Sequence, residues 1–105
     1  MSFQPDFAGA ADAVLDSLYT RLAEASDRFD FDVDMNEGAL VIEFEAPRER
    51  FVISPNSAAN QIWVSANVHS YKFDCTPEGF TLPSGQALDD LIAEAIRRRI
   101  PDFEY

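Results

Sequence analysis

The sequence is poor in the side chains that hold transition metals tightly. It contains one cysteine, Cys75, and one histidine, His69, so it can form neither an internal disulfide nor a zinc site of cysteine and histidine ligands. Any metal that the chain binds must therefore be held mainly by oxygen atoms. We expect Cys75 to be a small filler at a strand end and His69 to be a surface or hydrogen-bonding side chain.

Positive charge is also scarce. Only eight of the 105 residues are Lys or Arg, against 19 Asp and Glu, which gives a formal net charge of -11. This charge repels the phosphate backbone that a DNA- or RNA-binding protein must neutralise, so we expect no direct binding to nucleic acid. The same field attracts metal cations and basic protein surfaces, which are the two classes of partner left to consider.

The chain lacks the apolar runs and motifs that mark several other protein classes. No apolar run approaches the roughly 18 residues that span a bilayer, and residues 1–13 contain no basic residue, unlike a signal or transit peptide. We therefore expect a cytoplasmic protein that does not enter a membrane. No nucleophile–base pair, glycine-rich phosphate loop or HExxH motif is present, so we do not expect an enzyme.

What the sequence does contain is enough apolar material for a folded core, because 47% of its residues are hydrophobic, nine of them Phe. Between Phe7 and Arg28 the apolar residues recur every three or four positions, which predicts a helix. Residues 29–35 (FDFDVDM) alternate apolar side chains with Asp in period two, which predicts a strand. A turn at 36–38 and a second strand at 39–46 complete a predicted hairpin.

Four more short β-rich runs follow, and then a second helical pattern. The runs cover residues 50–54, 61–66, 70–74 and 79–82, and the helical pattern covers residues 86–100. Strands flanked by helices are typical of α+β domains. We therefore predict a single domain, residues 1–105, built as a two-layer sandwich in which two helices pack on one face of an antiparallel sheet of about six strands.

Negative charge is concentrated in the first 45 residues, which hold eleven acids and two bases. Four acids fall opposite the apolar stripe of the first helix, three alternate along the first strand, and one lies in the turn. We call these residues the acidic row: Asp12, Asp16, Glu24, Asp27, Asp30, Asp32, Asp34 and Glu37. Surfaces that only keep a protein soluble usually carry both positive and negative side chains. A row of one sign therefore indicates a site for cations or for a basic partner. A solvated face that only keeps the protein soluble is the alternative.

The face of the sheet that the helices leave open is predicted to carry the only tryptophan. Trp63 alternates in phase with the polar residue Gln61, and exposed aromatic side chains are enriched at protein interfaces. Trp63 is therefore a candidate partner contact, on a surface separate from the acidic row. The alternative is that a loop, or the long side chains of Arg48 and Lys72, cover the indole. On the second strand, the same alternation predicts that Val41 faces solvent.

A resemblance to a known family is concentrated in residues 51–74, FVISPNSAANQIWVSANVHSYKFD. This stretch resembles the frataxin family in its bacterial, CyaY-type form. The resemblance lies in the order and spacing of three segments: aromatic-Val-Ile, Asn-Gln-Ile-Trp-Val-Ser and Tyr-Lys-Phe-Asp. The Asp-rich first strand, residues 38–40 (GAL) and the helix at 88–96 fit as well, so the resemblance covers nearly the whole chain. It implies the frataxin fold of two helices on one antiparallel sheet, in agreement with the predicted elements.

The resemblance further implies an iron-binding accessory protein of iron-sulfur cluster assembly, an iron chaperone or regulator that works on the cysteine desulfurase and scaffold complex. The acidic ridge of the family would fall on the acidic row from Asp12 to Asp34, with gaps at Thr20 and Ala23 that thin it. The partner surface of the family would fall on Asn56, Asn60, Gln61, Trp63 and Lys72. Ser54 stands where an Asn is usual.

The spacing of the carboxylates predicts loose rather than tight metal binding. Ferrous and ferric iron accept hard oxygen donors. However, acids spaced four residues apart on a helix, or two residues apart on a strand, lie along a surface and do not surround an ion. We expect a protein that is monomeric without iron and that releases its metal. Two rivals remain: an acidic interaction module that docks on a basic partner and binds metal incidentally, and a weak ferroxidase, which the thinned row disfavours.

Overall fold

Two helices and six strands form the computed structural model, which describes residues 7–45, 48–66, 69–76 and 79–104. In chain order the elements are α1 (Phe7–Ser26), β1 (Asp32–Asn36), β2 (Ala39–Phe44), β3 (Glu49–Asn56), β4 (Gln61–Ala66), β5 (His69–Thr76), β6 (Gly79–Thr81) and α2 (Leu88–Arg97). The strands form one sheet in the order β1-β2-β3-β4-β5-β6, and each pair is antiparallel. The predicted α+β architecture is confirmed.

The core lies between one face of the sheet and the apolar stripes of both helices. The sheet contributes Leu40, Ile42, Phe44, Phe51, Ile53, Ile62, Val64, Ala66, Phe73 and Phe80, and the helices contribute Ala11, Leu15, Leu18, Leu22, Ala25, Leu88, Leu91, Ile92, Ala95 and Ile96. An ion pair of 3.6 Å between Arg21 in α1 and Asp89 in α2 links the two helices. None of the described helices is long and apolar enough to cross a membrane.

The first hairpin turns through two residues with positive φ. Glu37 (φ 53°) and Gly38 (φ 82°) connect Asn36 to its register partner Ala39. Two successive positive φ angles suit the right-handed twist of the flanking strands, and glycine adopts them without steric cost. The turn predicted at 36–38 is confirmed, and it fixes which residues of β1 and β2 face each other.

The start of β1 differs from the prediction. Residues 29–31 were expected in the strand, but the structure begins β1 at Asp32. The N–H of Phe29 donates to the carbonyl of Ala25 at 2.9 Å, and the N–H of Phe31 donates to the carbonyl of Phe29 at 3.0 Å. These local bonds continue the end of α1, which stops at Ser26 rather than Arg28. The side chain of Phe31 is nevertheless buried.

β3 extends further than predicted and passes through a proline. Pro55 is in register with Ile62 of β4, whereas the pairing of β3 with β2 ends at Ile53 opposite Leu40. Beyond that point no β2 residue is in register with β3, so a residue without an N–H is tolerated there. β5 is likewise longer than expected and ends at Thr76.

Two further expectations need correction. Val41, predicted to face solvent, is 7% exposed, because its register partners Asp34 and Val52 flank it on the open face. α2 begins at Leu88 rather than at residue 86, since Ala87 is extended and bridges to Thr81. The helix ends at Arg97, three residues before the predicted end.

The segment after α2 returns to the core through Phe103. This side chain is fully buried and lies against the rings of Phe29 and Phe31, with centroid distances of 5.4 and 5.8 Å. Arg97 holds the segment in place, because its Nε donates to the carbonyl of Phe103 at 2.9 Å. Phe103 therefore joins the C-terminal segment to the link between α1 and β1.

Phe103→Ala is expected to lower the free energy of unfolding by about 3–5 kcal/mol, because it removes a buried ring and leaves a cavity. The neighbouring variant Glu104→Ala, at an exposed position, should change it by no more than about 0.5 kcal/mol. Urea unfolding followed by circular dichroism measures both. Equal effects of the two variants would show that Phe103 does not close the core.

Candidate functional site

The acidic row is exposed along its length. The structure places Asp12, Asp16 and Glu24 on the solvent side of α1, Asp27 in the turn after it, Asp30 in the bend before β1, and Glu37 at the tip of the first hairpin. Asp32 and Asp34 lie in β1, and both are exposed as well. The predicted members therefore follow one another through α1, the bend and β1.

The two strand carboxylates face away from the helices. Val33 and Met35 are in register with the buried residues Ile42 and Leu40, so Asp32 and Asp34 point to the opposite, open face. Because α1 packs against β1 and β2 on the helix-covered face, the acidic row passes around the β1 edge of the sheet. The row was expected to lie beside a separate sheet surface centred on Trp63, and the structure places Asp32 and Asp34 on the same open face as Trp63.

A shallow cleft of about 190 Å³ gathers the strand acids. Its lining includes Asp32, Asp34, Asn36 and Glu43, together with Arg50. Asp32 lies directly opposite Glu43 in the register, an arrangement of like charges that disfavours folding. Arg50, opposite Glu43 on the other side, offsets this repulsion through an ion pair of 3.3 Å.

The carboxylates do not converge on one point. Across the four described stretches of the chain, no group of three or more His, Cys, Asp and Glu side chains could together hold a metal ion. One carboxylate oxygen of Asp34 also accepts a hydrogen bond from the N–H of Met35, at 2.9 Å. The arrangement can therefore attract cations and supply one or two ligands at a time, but it does not enclose an ion.

Trp63 is held by a chain of polar contacts across the open face. Its indole N–H donates to Oε1 of Gln61 at 2.9 Å, and Nε2 of Gln61 donates to Oδ1 of Asp74 at 2.9 Å. The Nζ of Lys72 lies 5.0 Å from the centroid of the indole, within the range of a cation–π interaction. The ring is thus oriented before any partner arrives, and it remains 40% exposed.

A groove beside the indole completes this surface. It has a volume of about 260 Å³, and its lining includes Val52, Trp63 and three small residues, Ser54, Ser65 and Ser70. Small side chains next to Trp63 leave part of the indole accessible. The ammonium of Lys72 lies over the ring, as the alternative expected, but Arg48 lines a different cleft and the indole remains 40% exposed. These two side chains therefore do not bury Trp63.

The two asparagines of the predicted partner surface lie at the β3–β4 turn. The side chain of Asn56 accepts the N–H of Ala59 at 3.2 Å. Asn60 has a φ of 52°, a conformation that Asn tolerates better than most residues, and its carbonyl accepts the N–H of Cys75 at 3.2 Å. Both residues therefore shape the turn that precedes Gln61.

Asp74 is the member of this surface that sequence reasoning missed. It lies opposite Gln61 in the β4–β5 register, two residues along β5 from Lys72. Its alternation with Lys72 was visible in the sequence, but the pairing with Gln61 depends on the length of the β4–β5 connection. The register therefore had to be known before Asp74 could be assigned to the Trp63 contact.

Asp74→Ala is expected to loosen the indole without unfolding the protein, because it removes the acceptor that holds Gln61. The fluorescence of the single tryptophan should become more accessible to acrylamide and its anisotropy should fall, while the free energy of unfolding changes by about 1 kcal/mol or less. Asp102→Ala removes an exposed carboxylate elsewhere and should leave the fluorescence unchanged. Identical quenching of both variants and wild type would contradict the role of Asp74.

Comparison with known proteins agrees with the fold and with the sequence motifs. A family model described as a frataxin-like domain matches residues 2–102. The fold is similar to that of frataxin from Psychromonas ingrahamii, a structure solved to study stability modulation within the CyaY protein family, with a TM-score of 0.70 and 20% sequence identity over 87% of this chain and 89% of that chain. No curated protein gives a significant match. Since the family model spans nearly the whole sequence, the chain belongs to the frataxin-like domain family.

Proposed function

We propose that this protein is an iron-binding accessory protein, an iron chaperone or regulator, of iron-sulfur cluster assembly. In this proposal it holds ferrous or ferric iron weakly on the acidic row and docks on the cysteine desulfurase and scaffold complex. Membership of the frataxin-like family fits a role in iron-sulfur assembly in general. The observation that supports the finer proposal is that exposed carboxylates and an oriented tryptophan share the open face of one sheet.

The chemistry of the acidic row suits transient iron binding. Asp and Glu provide hard oxygen donors for ferrous and ferric iron, and their exposure leaves room for the ion to keep part of its water shell. Because the described carboxylates do not close a cage, an ion bound there can pass to an acceptor without unfolding of the site. At the β1–β2 cleft, a cation would compete with Arg50 for Glu43.

The Trp63 surface suits protein docking for a different reason. An aromatic side chain that is already oriented loses little conformational entropy on binding, and tryptophans are enriched among the residues that dominate binding energy. Three strand spacings, roughly 14 Å, separate β1 from β4. A partner interface of ordinary size, about 800 Å² on each side, can therefore cover Trp63 together with Asp32 and Asp34.

A second candidate function follows from the scattered placement of the acids. Since no described group of carboxylates converges on a metal position, the row also suits an interaction module whose acidic face docks on a basic protein and whose metal binding is incidental. Replacing Asp30, Asp32 and Asp34 with Lys separates the two functions. Loss of desulfurase binding in metal-free buffer would favour the module, and loss that appears only when iron is supplied would favour the iron-dependent role.

Cations are expected to stabilise the apoprotein, because the acidic row repels itself. Ferrous iron under anaerobic conditions should raise the Tm and shift the amide resonances of residues 12–37. Asp32→Asn relieves the repulsion from Glu43 and should raise the free energy of unfolding by about 0.2–1 kcal/mol at low ionic strength, while reducing the rise in Tm that iron produces. Asp90→Asn, on α2, should retain the full response to iron. An unchanged Tm and unshifted amides would contradict iron binding at the row.

Trp63→Ala is expected to weaken binding to the cysteine desulfurase about 30-fold or more, which corresponds to a loss of at least 2 kcal/mol at a central contact. Calorimetric titration in metal-free buffer measures the Kd. Asp90→Ala serves as the control, since it lies on the helix layer, on the other side of the sheet from Trp63, and should bind like wild type. Equal Kd values for the two variants would remove Trp63 from the proposed interface.

A further inference from the structure

A cleft in which four of the eight lining side chains are basic lies at one end of the sandwich. It has a volume of about 400 Å³ and lies between the beginning of β3, the end of β4 with the beginning of β5, and the C-terminal end of α2. Its lining residues are Arg48, Glu49, Phe51, Ala66, His69, Ala95, Arg98 and Arg99. Three of the eight Lys and Arg residues of the chain therefore meet at one cleft.

One wall of the cleft is a structural ion pair. Nη1 of Arg99 lies 3.0 Å from Oε1 of Glu49, and the two side chains are only 19% and 14% exposed. The guanidinium of Arg99 also lies 4.7 Å from the centroid of Phe44, and Nη2 donates to the carbonyl of Glu45 at 3.3 Å. Arg99 therefore joins the end of α2 to β2 and β3, and this makes the wall rigid.

The remaining basic side chains line the solvent side of the cleft. Arg48 and His69 are exposed, and the side chain of Arg98 is 60% exposed while pairing with Glu94 at 3.3 Å. Among the described residues of the lining, Glu49 is the single acid, and it is already engaged by Arg99. Two guanidinium groups and an imidazole therefore surround a floor that includes the apolar side chains of Ala66 and Ala95.

The size and charge of the cleft select small anions. Guanidinium groups bind carboxylate and phosphate oxygens through paired N–H donors, and a volume of about 400 Å³ is in the range of small-molecule sites. A nucleic acid or an anionic membrane would also face the rest of a chain whose net charge is -11, which repels extended polyanions. A small ligand contacts only the cleft, whose described lining holds three arginines and Glu49, an acid that Arg99 already engages.

We propose that this cleft binds a small multivalent oxyanion, a molecule with at least two neighbouring carboxylate or phosphate groups. Arg48 and Arg98 would each hold one anionic group, and His69 would donate a further hydrogen bond from its imidazole. The lining residues of this site belong neither to the acidic row nor to the Trp63 surface, and the site requires no metal. The proposal therefore does not depend on the iron-binding role.

The test is a titration of metal-free protein with sodium pyrophosphate and, separately, with sodium citrate. Both titrations are done at constant ionic strength, and binding is monitored through the NMR signals of the backbone amides. Either probe should shift the amides of Ala66, His69 and residues 95–99 in a saturable way, with a Kd below about 1 mM. Saturation by pyrophosphate alone would identify phosphate groups as the ligand, and saturation by citrate alone would identify carboxylates. Equal shifts with acetate or chloride, or no saturable shift with either probe, would overturn the proposal.

Arg48→Gln and Arg98→Gln are each expected to raise the Kd of the tighter-binding probe at least fivefold. Arg28→Gln is the matched control. Arg28 is an exposed arginine in the turn after α1, and its substitution changes the net charge by the same amount. An equal rise in Kd for all three variants would show that only the net charge of the protein matters, and it would overturn the proposal. Both tested side chains are exposed, and an unchanged Tm for each variant confirms that the fold is kept.

Discussion

The two-sidedness of the antiparallel sheet is the constraint on which the rest of the molecule depends. Successive residues of a strand point to opposite faces, and two helices cover only one of those faces. Every strand must therefore place apolar residues on the helix side, as Leu40, Ile53 and Phe73 show. The other side is left for groups that can stay in water, and the strand acids and the tryptophan both lie on it.

The core tolerates the charge that this arrangement concentrates. Burying one Phe, Leu or Ile side chain contributes about 1.5–3 kcal/mol relative to leaving it exposed, whereas a pair of like charges on a surface costs a few tenths to about 1 kcal/mol. The buried rings of Phe44, Phe73 and Phe103 therefore outweigh several repulsive pairs. A surface of one sign can be kept for cations or for a basic partner at modest cost to the stability of the fold.

Periodicity predicted the architecture because it reports a local property, the face that each residue presents. The bounds of β4 were predicted correctly as 61–66, since that strand is short, regular and bounded by polar residues. Errors arose where pairing decided the outcome. Pro55 remains in β3 because the pairing of β3 with β2 stops at Ile53, and Val41 is covered because Asp34 and Val52 flank it. The residues that lie beside Pro55 and Val41 on the adjacent strands cannot be identified from the sequence of β3 or β2 alone.

The same limit separates what was predicted of the site from what was not. Exposure of the acidic row followed from the helical period and from strand alternation, and exposure of Trp63 followed from strand alternation. The contact of Gln61 with Asp74 and the cleft of Arg48 with Arg98, by contrast, join residues of different elements.

One consequence concerns β1, which is an edge strand of the sheet. Charged side chains on an edge strand discourage pairing with another chain, so the carboxylates of Asp32 and Asp34 are expected to hinder association of β1 with a strand of a second copy. Replacing either acid with a neutral residue is therefore expected to make this edge of the sheet more prone to such pairing.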